Sequence, residues 1–221
     1  RLQWISDSEI LFNDYCYNIK KYVSHCYNVN SGELVKTFDY PVQDAFYDSK
    51  FYSISYNRLQ SLRPDYGYFN SPFLTHQELL SHDADGIWEI DFKSEKGNLL
   101  VSLEEVVSIE SDSFFTAGLH WINHVMISPN GNRIIFLHRS RNQGIKRDRL
   151  FSFDLETKTL ALIINYSIVS HFNWINNNSI LCFLGKDKED LAYKKIDLIS
   201  KEITYQDFFK QYNSLDGHPS F

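Results

Sequence analysis

The chain has 221 residues, 43% of them hydrophobic and 23% charged, which suits one ordinary hydrophobic core and excludes a disordered or collagen-like chain. Lys and Arg number 22 against 28 Asp and Glu, for a net charge of −6, and the one basic cluster is the short stretch Arg139 to Arg149, so no nucleic acid is expected as a partner. The longest apolar runs, Leu160 to Ile164 and Ile180 to Leu184, fall far short of the roughly 20 residues of a membrane helix, so no membrane span is expected.

The 17 Phe and 14 Tyr lean the composition towards strands. Two linked motifs recur along the chain. In the first, Trp4-Ile5 leads through the polar Ser6-Asp7-Ser8-Glu9 into the β run Ile10-Leu11-Phe12. In the second, Tyr27-Asn28-Val29-Asn30-Ser31-Gly32 is an alternating strand that ends in a turn. Cys16 and Cys26 stand where they would face one another across a hairpin turning near Lys20, as a bridge or as two buried thiols; with Cys182 they show no metal-type spacing.

Phe46-Tyr47-Asp48-Ser49-Lys50-Phe51-Tyr52 repeats the first motif and Ile90-Asp91-Phe92-Lys93-Ser94 the second, with an insertion of about 35 residues between Tyr56 and Gly86. Ile127 to Phe136 is the third copy, and its Pro129-Asn130-Gly131 supplies the fixed φ and the left-handed position of a tight turn. Phe153-Asp154-Leu155-Glu156-Thr157 follows, then Trp174 to Phe183 and Ile196-Asp197-Leu198-Ile199-Ser200; Phe221 opens a further unit. Anchors at Trp4, Phe46, Ile127, Trp174 and Phe221 are 42, 81, 47 and 47 residues apart, the period of four-stranded propeller blades.

The expected fold is all-β: a β-propeller of about four blades of four antiparallel strands, plus the start of a fifth. The blades run approximately over 1–42, 43–123, 124–170 and 171–217, with an inserted loop at 57–86, in one domain or a fragment of a larger propeller. Further blades or a partner chain would close it. A β-sandwich is the alternative, but it has no reason to repeat two linked motifs in order.

Three residues before the anchors stand His124, His171 and His218, with Gln43 and Arg1 in the same place of the earlier units. The first strand of a blade lines the central channel, so these side chains are expected at the channel mouth. There imidazoles and an amide oxygen suit a divalent metal such as Mn, Fe or Zn. The alternative is a structural tie within each blade. The change to Gln43 and Arg1 favours a site, since a tie would repeat in every blade.

The insertion concentrates Arg58, Arg63, Tyr66 and Tyr68. Arginine forks fit carboxylates, and tyrosines stack on sugar faces or move protons; the alternative is a loop whose tyrosines form their own small core. His120 adds a polar group. His138 reads as a solvated strand residue, and His25, His76 and His82 carry no role. No GxSxG, P-loop, HExxH or dinucleotide-binding glycine pattern is present.

The strings Arg58 to Tyr68, His120-Trp121-Ile122-Asn123-His124, Ser170-His171-Phe172-Asn173-Trp174 and Asp216-Gly217-His218-Pro219-Ser220-Phe221 together resemble a bacterial family of uncharacterised propellers related to oligogalacturonate lyases and the TolB-type repeat. That resemblance implies a soluble cytoplasmic or periplasmic protein that takes an acidic oligosaccharide. It also implies a carbon–oxygen lyase that holds manganese with His124, His171, His218 and Gln43. A β-elimination would then use His120 as base and Tyr66 or Tyr68 as acid. The carboxylate would be neutralised by the metal, Arg58, Arg63 and Arg139. The competing class is a non-catalytic propeller binding a glycan or a protein partner at its channel mouth.

Overall fold

A computed structural model describes residues 1–165, 168–205, 216–217 and 219. Strands β1 (Leu2–Trp4), β2 (Glu9–Cys16), β3 (Lys21–Asn28) and β4 (Glu33–Phe38) form a first sheet in chain order. β5 (Asp44–Phe46), β6 (Lys50–Ile54), β7 (Gly86–Asp91) and β8 (Gly97–Ser102) form the second. β9 (Leu119–Ile127), β10 (Arg133–Asn142), β11 (Ile145–Asp154) and β12 (Thr159–Ile164) form the third. β13 (Ile168–Asn176), β14 (Ser179–Gly185), β15 (Ala192–Asp197) and β16 (Ile203–Tyr205) form the fourth. Four antiparallel four-stranded sheets, each wound in chain order, are the blades of a β-propeller. The chain packs as two compact units, Arg1–Val125 and Met126–Phe221. The further unit expected at Phe221 lies outside the described residues.

The second repeat motif has a physical cause. In each sheet the third strand ends on Asn28, Asp91, Asp154 or Asp197, whose side-chain oxygen accepts the backbone N–H three residues on at 3.0, 2.6, 2.9 and 2.9 Å. Such a turn replaces ladder bonds that the chain gives up in reversing direction. The residue after it must then go left-handed: Gly32, Glu95, Lys158 and Lys201 have φ of 72°, 62°, 56° and 60°. The Asn130-Gly131 turn between β9 and β10 forms as its sequence indicates, with Gly131 at φ 75° and its N–H on the Ser128 carbonyl at 2.9 Å.

Apolar faces of the sheets make the core. Ile5, Leu11, Cys26, Phe38, Phe51 and Ile90 pack together in the first unit; Ile135, Leu150, Phe172, Trp174, Ile180 and Ile196 do so in the second. Burying each Leu, Ile or Phe stabilises by about 1.5–3 kcal/mol.

The structure decides one open alternative and corrects one expectation here. The hairpin of β2 and β3 sets Cys16 opposite Lys21 and Cys26 opposite Leu11, several rungs apart, so no bridge joins them. Burial, then the charge of Glu9, pushes the Cys26 thiol up to about 11, which makes it inert. The inserted loop is in part helical. It contains α1 (Tyr56–Leu62) and α2 (His76–Leu80), and a second excursion before β9 contains α3 (Leu103–Ser108) and α4 (Ser113–Thr116). Thr75 with Glu78 and Ser102 with Glu105 form capping boxes, which satisfy the first free N–H groups of helices too short to hold themselves.

Candidate functional site

The insertion is anchored by Arg58. Its guanidinium, buried to 3% exposure, gives all five N–H groups to the fold. Nε bonds the Asp85 carboxylate, Nη1 the carbonyls of Leu79 and His120 at 2.8 and 3.1 Å, and Nη2 those of Glu78 and Ser81 at 3.1 and 2.7 Å. Arg58 therefore clamps α1, α2 and the start of β9 together and offers no donor to a substrate, contrary to the binding role its sequence position suggests. His120 is likewise corrected. It is fully buried, with Nε2 against the Phe115 carbonyl at 2.7 Å, so the fold shields it from the role of a base.

α1 runs into a tight turn over Arg63 to Gly67, where the Gly67 N–H meets the Arg63 carbonyl at 3.2 Å. A Cβ at Gly67 would sit 2.6 Å from the Gln60 Cα, so the turn can lie this close to α1 only as glycine. The turn raises Arg63 and Tyr66 together. The guanidinium lies over the Tyr66 ring at 4.9 Å, and Asp65 steadies Nε at 2.7 Å. The exposed Tyr66 ring meets His124 edge-on at 5.7 Å. His124 is nearly buried, takes the left-handed φ of 53° within β9, and shares a 3.0 Å hydrogen bond with Asn123 through Nδ1. A histidine in that conformation marks a place where the fold holds a side chain against local preference. Arg63, Tyr66 and His124 thus form one ledge.

Tyr68 points elsewhere. It is the middle ring of a stack, 4.3 Å from Tyr22 and 4.4 Å from Tyr56, and its hydroxyl accepts the Asn13 amide at 2.8 Å. Burial, then Tyr68, holds the Tyr56 hydroxyl well above its ordinary value. Gln43 donates Nε2 to the Tyr56 hydroxyl at 2.6 Å, and its buried Oε1 has no partner among the described residues. Sequence reading found Gln43 but missed Tyr56, which fixes it, and Asn13, which bonds the neighbouring Val42 backbone and the Tyr56 and Tyr68 hydroxyls.

In the second unit Arg139 is buried in β10, its Nε 3.7 Å from the fully buried Asp148 and its Nη2 donating to the Val169 carbonyl of β13 at 3.5 Å, so it faces the seam of the third and fourth sheets and is shielded from the ligand its sequence position suggests. His138 is fully buried, not solvated, and its Nδ1 accepts the Arg149 Nε–H at 3.1 Å. His171 places Nδ1 2.8 Å from Asp216 Oδ1. His218 lies outside the described residues. Among the described residues no three or more His, Cys, Asp or Glu side chains come together to hold a metal ion.

No family profile and no curated protein sequence matches the chain. Solved structures do match in fold. TolB from Acinetobacter baumannii superposes with a TM-score of 0.53 at 9% identity, over 92% of this chain and 42% of that one. An oligogalacturonate lyase in complex with manganese gives 0.51 at 10% identity, over 90% and 51%. An acylaminoacyl peptidase from Pyrococcus horikoshii gives 0.54 at 10% identity, over 93% and 32%. The chain thus spans about half, or less, of the length of these structures. Likeness at this level establishes the fold they share, on which many chemistries are built.

Proposed function

We propose that the chain is part of a carbohydrate-binding propeller that holds an acidic saccharide on the Arg63–Tyr66–His124 ledge of its first unit. The observation that carries this reading is the state of Arg63. Asp65 and the Tyr66 face fix its orientation, while its terminal nitrogens make no hydrogen bond among the described residues. Those nitrogens form the edge that receives a carboxylate in a bidentate pair, and the exposed Tyr66 ring offers a face for the sugar.

The same ledge supports a second reading, β-elimination, because imidazole, phenol and guanidinium stand in one series of contacts. His124 would take the proton alpha to the carboxylate, Arg63 would stabilise the charge that develops, and Tyr66 would protonate the leaving oxygen as the carbon–oxygen bond breaks. Titration calorimetry of the full-length protein with pectic, alginate and ulvan-type oligomers tests the binding reading. Saturable binding that weakens at least about tenfold in Arg63→Ala is expected, since a charged hydrogen-bonded pair is removed. Absence of binding across the panel refutes it. Ultraviolet absorbance of an unsaturated uronate decides between the readings: binding without any absorbance gain leaves the ledge a binding site alone.

A further inference from the structure

A separate pocket of about 400 Å³ opens in the first unit between the end of β6, α1, α2 and β7. Its size is that of a small-ligand site. Tyr40 and Trp88 form one wall, their ring centroids 6.0 Å apart and their planes inclined by 34°. Tyr40 is held there by contact with Gly97, where any added Cβ would strike its ring. The opposite side presents Ser53, Ser55, Glu78 and Asp85.

The polar groups of this pocket have an unusual balance. Arg58 belongs to the lining, but its N–H groups are all occupied by Asp85 and four carbonyls, so the pocket offers no cationic donor. Asp85 accepts from Arg58 and from the Gly86 N–H at 2.7 Å and still has acceptor capacity. Ser55 accepts the Arg58 N–H at 3.2 Å and keeps its own proton to donate. Ser53 is the most telling. It is 2% exposed, lines the pocket, and makes no side-chain hydrogen bond among the described residues. Its hydroxyl is not among the partnerless groups sealed from water, so it faces the open pocket and can bond whatever enters.

We infer that this pocket binds a neutral sugar, distinct from the acidic residue assigned to the Arg63 ledge. Ring hydroxyls both donate and accept, so they match carboxylate acceptors and serine hydroxyls together, and the C–H face of a pyranose lies against Trp88 and Tyr40. A uronate or a phosphate would meet two carboxylates and no available cation. An amine would find its one uncompensated partner, Glu78, on the exposed rim, where an ion pair adds little.

Calorimetric titration of the full-length protein with glucose, galactose, mannose and xylose, alongside galacturonate and a small alkyl amine, tests this. A neutral sugar is expected to bind saturably. Ser53→Ala, which breaks no bond of the fold, should weaken it about fivefold, the loss of one hydrogen bond. Leu74→Trp, which fills the pocket from its lining, should abolish binding while circular dichroism stays that of the parent. Arg63→Ala should leave neutral-sugar affinity unchanged, and Ser53→Ala should leave acidic-oligomer affinity unchanged, so the two sites stand or fall separately. No neutral sugar bound by folded protein, an unaltered affinity in Ser53→Ala, or, in Arg63→Ala where the ledge no longer takes the acid, preference for the amine or the uronate would each overturn the inference.

Discussion

Replacing Arg58 by Met keeps most of the side-chain volume and removes every hydrogen bond of the clamp. Asp85, with 16% of its side chain exposed, then loses its cation, and four backbone carbonyls lose their donors. Removing one partner of a buried ion pair costs about 3–5 kcal/mol. The residual exposure of Asp85 draws its own share toward the lower end; the Glu78 carbonyl keeps the Ser81 N–H, and any carbonyl left without a donor and out of reach of water adds about 1–3 kcal/mol. The expected loss is therefore at least about 3–5 kcal/mol, a large part of the stability of an ordinary domain. Urea denaturation followed by circular dichroism measures it, and the Arg58→Met/Asp85→Asn double variant should recover part of the loss because no unpaired carboxylate remains. Arg58→Lys should fall between parent and Arg58→Met, since an ammonium cannot reproduce the fork. A loss below about 1 kcal/mol, the range of an exposed pair, together with collapsed saccharide affinity, would show Arg58 facing ligand and would refute the clamp.

The turns give a cleaner test of backbone strain. Gly32→Ala should cost about 1 kcal/mol in thermal or chemical unfolding. An added Cβ there meets only the Tyr27 hydroxyl at 3.7 Å, so φ alone is at stake. Glu95, Lys158 and Lys201 occupy the matching positions, and their replacement by Gly should stabilise by a few tenths to about 1 kcal/mol each, the relief of φ being partly offset by a more flexible unfolded chain. Backbone N–H groups at the same turns hold the Asp91, Asp154 and Asp197 carboxyls below their ordinary values. Their contribution is present at neutral pH and is lost as pH falls below about 4 and through the folded-state values. Changing all three to Asn should flatten the melting temperature against pH across that acid range; an unchanged slope would mean that the turns do not prefer the ionised form.

The repeat was legible because its cause is local: an Asx turn and a left-handed residue follow the third strand wherever the strand ends, and sequence spacing records both. The helices of the excursions escaped because α1, α2, α3 and α4 are too short for a clear 3.6-residue period. Thr75-to-Glu78 and Ser102-to-Glu105 were nevertheless readable as capping boxes. The site divided along the same line. Arg63 and Tyr66 are neighbours within one turn, so their clustering in sequence survived in space. Arg58 sits only five positions before Arg63 yet faces the opposite way, toward Asp85, and a count of arginines in a loop cannot tell a guanidinium that holds the fold from one that meets a ligand. The buried partners of His120, His138 and Arg139 are backbone carbonyls or residues on neighbouring strands, which single-sequence patterning does not connect.

The pairing of Ile54 with Ile87 closes the base of the insertion as though the strands were joined by a simple hairpin. Register of β6 against β7 is set below the point where the chain leaves, so nothing in the sheet counts how long the excursion is. Loop closure depends only weakly on length once the ends are held. Both the ledge and the pocket combine side chains of that excursion with others from the strands, His124 of β9 for the ledge and Ser53 and Trp88 of β6 and β7 for the pocket. The excursion can therefore change its length and sequence without disturbing the pairing of β6 with β7, while the strand residues that face it stay under the constraints of their sheets.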